Sequence, residues 1–80
     1  KDNRIMSLNE SFAGVLKKLR IQKGLSQEEL AFKANLHRTY ISQLERGLKS
    51  PTLNTISILA DVLDVSLTQF VKSIQEVMKE

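Results

Sequence analysis

Eighty residues, with 12 lysines and arginines against nine acids, suffice for one domain and no more. The 41% hydrophobic and 26% charged content is that of a globular chain rather than a disordered one; the absence of cysteine and the single histidine, His37, exclude disulfides, thiolate metal sites and multi-histidine metal or haem sites. No apolar run approaches the roughly 20 residues of a membrane span and nothing resembles a signal peptide, so the expectation is a soluble cytoplasmic protein with no metal, cofactor or membrane partner.

In chain order, residues 1–6 read as a flexible arm ahead of a domain over residues 7–80, and the domain reads as five helices with no strand pattern. Ser7 and Glu10 form a capping box before the stripe Leu8, Phe12, Val15, Leu16 and Leu19, and Gly24 ends that helix. Ser26 and Glu29 repeat the box for a short second helix that stops near Ala34. The third runs from about Arg38 to Arg46 and ends at Gly47, a natural left-handed stop. After Pro51, Thr52 caps a fourth helix carrying Leu53, Ile56, Leu59, Ala60 and Leu63. Ser66 with Gln69 opens the fifth, which carries Leu67, Phe70, Val71, Ile74, Val77 and Met78.

Charge is distributed unevenly along these elements. Residues 15–50 hold eight basic and three acidic side chains, whereas the remainder holds four basic and six acidic. Such asymmetry suggests a polyanion partner for the middle of the chain. There, only "NLH" separates helices two and three, which forces a close crossing. Ala31 is the small residue such a crossing needs, Asn35 tolerates the left-handed backbone of a tight turn, and Ile41 and Leu44 anchor the third helix. A small residue, a turn residue four later and an aliphatic residue ten later is the helix-turn-helix spacing. An ordinary helical hairpin also needs a small crossing residue, but not the whole set.

The segment "GLSQEELAFKANLHRTYISQLERGLKSPTLNTISILADVLDVS" resembles the DNA-binding domain of the lambda-repressor-like family, which includes phage Cro and repressor and the xenobiotic-response-element regulators. The resemblance extends from about Phe12 to Phe70. It is carried by Gln27 opening helix two, Ala31, Ile41, Leu44, "LERG", and Pro51 before "LADVLDVS". Asn35 and Asp64 stand where the family habitually has glycine, and should cost a little stability without disturbing the fold. "RTYISQLERG" followed by "SPTL" further resembles the controller proteins of restriction–modification systems. The resemblance implies a five-helix, all-α fold and a sequence-specific regulator of transcription that binds double-stranded DNA in the cytoplasm of a bacterium. It also implies an ion pair between Arg20 and Glu45, and a contact to RNA polymerase through Glu28, since family activators present acids there. Helix-dipole complementarity is the plainer reading of Glu28.

On helix three, Ile41 and Leu44 define the inward side; Thr39 and Arg46 lie opposite, flanked by Arg38, Ser42 and Gln43. Arg can bond guanine through two donors, Gln can pair with adenine, and a Thr methyl can touch thymine. Arg38, Thr39 and Gln43 match the family's reading positions, with Ser42 a lesser base contact. Phosphate contacts are expected from Gln27 at the start of helix two, and from Arg46, Lys49 and Ser50 in and after helix three. Tyr40 lies on the flank, where its hydroxyl can reach a phosphate or its ring can pack on helix two. Lys33 reads as a solvated charge.

A single helix-turn-helix reads too few base pairs for a genomic address, so a homodimer on a (pseudo)palindromic operator is expected. Ile58 and Val62 lie off the core stripe of helix four. With Phe70, Ile74, Val77 and Met78 of helix five they read as the dimer interface, unless helix five folds back over them within one chain. Catalysis is the poorest reading: His37 sits beside a turn, where capping helix three suits it, and Gly14, Gly24 and Gly47 are too scattered for a phosphate loop. The competing class is an antitoxin or other protein-interaction module on the same scaffold, which should lack the Arg and Gln readers this chain keeps.

Overall fold

Four of the five helices begin where a short polar side chain accepts a hydrogen bond from an otherwise unpaired backbone N–H. The computed structural model describes residues 6–79, so of the arm expected over residues 1–6 all but Met6 lies outside the described residues. The elements are α1 (Leu8–Gln22), α2 (Gln27–Ala34), α3 (Arg38–Glu45), α4 (Leu53–Val62) and α5 (Leu67–Met78), with no strand among the described residues. Ser7, Ser26, Thr52 and Ser66 accept from the backbone N–H groups of Glu10, Glu29, Thr55 and Gln69, and the first two complete reciprocal capping boxes. His37 is the exception. It occupies the cap position of α3, but its side chain makes no capping bond, a correction to its expected job.

The first four helices also stop by one device. Gly24, Asn35, Gly47 and Asp64 take positive φ, and an apolar residue follows each: Leu25, Leu36, Leu48 and Val65. Their N–H groups donate back to the carbonyls of Arg20, Ala31, Gln43 and Ala60 at 2.9–3.1 Å, which satisfies a helix-end acceptor and reverses the chain. Asn35, at φ 57°, and Asp64, at φ 61°, do this without being glycine, because a short polar side chain tolerates the left-handed region.

The reversals stack the helices around one core. Phe12, Leu16, Leu30, Ile41, Leu44, Leu59 and Phe70 are wholly buried; each such side chain contributes about 1.5–3 kcal/mol of hydrophobic stabilisation. α1 packs on α3 and α5, α2 on α3 and α4, and α4 on α5. Ala31, nearly inaccessible, belongs to the core cluster on α2, the helix that packs on α3.

Three stripe residues face water instead. Leu8 and Leu53 are exposed because each is the first residue of its helix, and helical side chains lean back toward the N-terminus, past the end of the packed body. Val71, next to Phe70, is turned about 100° away from it and is also exposed. The interface expected on α5 needs a larger correction. Phe70 and Ile74 are buried inside the single chain, because α5 folds back across α1 and stacks the Phe70 ring on Phe12. Neither can serve a partner. Ile58, Val62, Val77 and Met78 are half-buried and pack against the same core, so only part of each is left to a second chain.

Candidate nucleic-acid interface

α3 is held from three sides, which decides what its outer face shows. Ile41 and Leu44 fix it to the core, and Glu45, whose side chain is 3% exposed, turns inward to meet Arg20. The Arg20 guanidinium donates Nε to Glu45 Oε2 at 2.6 Å and Nη2 to Oε1 at 3.0 Å, while Nη1 donates to the Leu25 carbonyl at 2.8 Å. This two-bond fork is the strong geometry for arginine and carboxylate. The hydrogen bonds that Arg20 donates to Glu45 raise its already high pKa; burial opposes them, and the Glu45 charge adds to the rise. With Glu45 withdrawn, α3 shows solvent no acid from its own turns.

The outward side chains of α3 and its C-cap residue Arg46 are open to solvent to different degrees. Arg38, Thr39 and Arg46 are exposed, and Ser42 and Gln43 are half-exposed beside them. Gln27, Arg38, Thr39 and Ser42 line one shallow depression, so the start of α2 and the start of α3 share a concave surface. Arg and Gln on such a surface offer bidentate donors and a donor–acceptor pair to base edges. Tyr40 is half-buried, its ring packed against the core.

Lys49 is exposed in the loop after α3. Ser50 is less free than expected: its hydroxyl donates to Asn9 Oδ1 on α1 at 2.9 Å. A hydroxyl has one hydrogen to give, so a phosphate there is left the backbone N–H. The Asn9 link was not legible, because nothing local in the sequence joins residues so far apart. Phe32 was legible and overlooked. It falls opposite Leu30 and Ala34 on α2, and it is 85% exposed, beside exposed Glu28 and Glu29.

Comparison with known proteins shows the family of the chain. Residues 16–70 match the helix-turn-helix family model. This chain belongs to the helix-turn-helix family of DNA-binding transcriptional regulators. Among helix-turn-helix relatives, it is 42% identical over 55 residues to the control protein C.BamHI of Bacillus amyloliquefaciens, covering 68% of each chain. It is also 42% identical over 62 residues to the control protein C.SmaI of Serratia marcescens, covering 78% of this chain and 74% of that one. A similar solved structure is the restriction–modification controller protein C.Esp1396I, a tetramer in complex with its natural 35-base-pair operator. It shares 35% identity at a TM-score of 0.84, over 94% of this chain and 99% of that one. No described helix is long and apolar enough to cross a membrane.

Proposed function

We propose that this helix-turn-helix protein is a controller-type regulator that binds a (pseudo)palindromic operator as a two-fold homodimer. Arg38, Thr39, Ser42 and Gln43 read base edges; Gln27, Arg46 and Lys49 hold phosphates. The observation that carries this reading is the composition of the α3 face: donors outward, and its one acid buried against Arg20. Glu there would repel the backbone phosphates, and withdrawing it removes the repulsion. The likeness to control proteins supports the subfamily.

Half-burial of Ile58 and Val62 on α4 supports an interface through that helix. Ile58 also lines an open depression at the α4–α5 turn, where Ala60, Val65 and Leu67 alternate with Ser57, Asp61 and Ser66, a surface of mixed polarity. Two-fold pairing there should set half-sites about 10 base pairs apart. Selection of bound duplexes from a random pool, followed by titration at several salt concentrations, tests the reading. The expected result is a palindromic consensus whose affinity falls steeply with salt. Salt-insensitive binding, or no enriched sequence, would defeat it. Sedimentation at micromolar concentration tests the dimer, which Val62→Asp should dissociate; a wild-type monomer on and off DNA would refute it.

A second surface supports a protein contact. Glu28 and Phe32 face solvent one turn apart on α2, and an exposed aromatic beside an acid suits a basic, partly apolar partner. We read this as the surface offered to RNA polymerase. Glu28→Gln with Phe32→Ser should keep operator affinity and lower transcription at an activated promoter; unchanged transcription there would return Glu28 to helix-dipole complementarity.

A further inference from the structure

Glu45 has a third bond besides the two that pair it with Arg20. Gln27, the first residue of α2, donates Nε2 to Glu45 Oε1 at 3.1 Å. A carboxylate can only accept, so the nitrogen of the Gln27 amide must be the end that faces Glu45. That leaves the second Nε2 hydrogen and the amide oxygen unassigned, at a residue that lines the depression beside Arg38, Thr39 and Ser42. The carboxylate is itself immobilised by the Arg20 fork, which is anchored to the Leu25 carbonyl in the loop leading into α2. One buried carboxylate from the last turn of α3 thus ties together α1, the α1–α2 loop and the start of α2.

We infer that Glu45 is a positioning residue for operator binding: it holds the Gln27 amide in one orientation, with a single N–H kept ready for a backbone phosphate. A glutamine free to rotate would lose that freedom on binding and would present oxygen to the phosphate in half of its amide orientations. Prior ordering removes both costs. Because phosphate contacts set register, a fixed Gln27 also fixes how Arg38 meets its base. The inference rests on DNA binding through α2 and α3, and its test separates the two.

Operator affinity is measured for wild type, Glu45→Gln, Gln27→Ala and the double variant, on a duplex selected with wild type. Glu45→Gln keeps an oxygen for Arg20 but no longer compels the Gln27 nitrogen to face it. It should weaken binding about three- to tenfold when Gln27 is present, the scale of ordering one long side chain, and by less than twofold on the Gln27→Ala background. Equal losses on both backgrounds would mean that Glu45 acts through the fold alone, and would overturn the inference. Nuclear magnetic resonance of the free wild-type protein provides an arm that needs no variant to fold. The Gln27 side-chain amide should be as ordered as the backbone, whereas that of Gln75, which is exposed, should not be. A mobile Gln27 amide overturns the inference whatever the affinities, and failure of wild type to select any duplex overturns the DNA-binding reading instead.

Discussion

Phe12 and Phe70, from the first and last helices, stack with ring centroids 5.6 Å apart and planes 14° from parallel, and solvent reaches neither. The stack joins the two ends of the domain. Phe70→Ala should therefore cost about 3–5 kcal/mol, the range for deleting a buried aromatic ring. Urea unfolding checks this, and the loss should not depend on protein concentration. A loss that disappeared on dilution would restore Phe70 to the interface.

Arg20→Ala would leave the Glu45 carboxylate, 3% exposed, without its cation. Breaking a buried pair from one side costs about 3–5 kcal/mol, so thermal unfolding should show a fall of that order. A change under about 1 kcal/mol would place the pair in the surface class, where ion pairs contribute little.

Ser11 is wholly buried, and its hydroxyl has no hydrogen-bond partner among the described residues. A buried hydroxyl left unpaired costs about 1–3 kcal/mol. Ser11→Ala removes the cost, keeps the volume close and improves helix propensity. It should stabilise the protein by about 1 kcal/mol or more in denaturant titration, whereas destabilisation would mean that an internal water pairs with the hydroxyl.

Arg38 and Arg46 lie at opposite ends of α3 and should fail differently. Arg38→Ala should cost about 1–3 kcal/mol and relax choice at one base pair. Arg46→Ala should weaken all sequences alike and reduce the salt slope by about one unit. Uniform losses for both across single-base operator variants would remove Arg38 from the bases.

Glu29 should titrate below its ordinary 4.5, chiefly because the Ser26 backbone N–H donates to its carboxylate, with the Ser26 side chain second. A depressed carboxylate pKa means that its contribution to stability is complete above the unfolded value and is lost as pH falls through the folded one. Glu29 is fully exposed, so the effect on stability is small and the titration itself is the measurement. Ser26→Ala, which removes the hydroxyl but keeps the backbone N–H, should move the Glu29 midpoint upward only in part; an unchanged midpoint would mean that the hydroxyl does not contribute to the shift.

How much of this was legible follows from the range of the interactions involved. The sequence by itself determined the five helices, their caps, the tight turn at Asn35 and the outward face of α3. Each depends on neighbours within a turn or two: Ser26 on Glu29, Asn35 on its own φ, Arg38 and Thr39 on their angle from Ile41. Only the tertiary structure decided the role of α5. Its apolar residues Leu67, Phe70, Val71, Ile74, Val77 and Met78 fall on one stripe about 120° wide, and periodicity alone does not say whether that stripe meets the core or a second chain. The choice depended on the volume left between α1 and α4, which Phe70 fills against Phe12. The bonds from Gln27 to Glu45 and from Ser50 to Asn9 were likewise decided in three dimensions. They join residues distant along the chain, and a side-chain donor meets its acceptor only after the helices between them have packed.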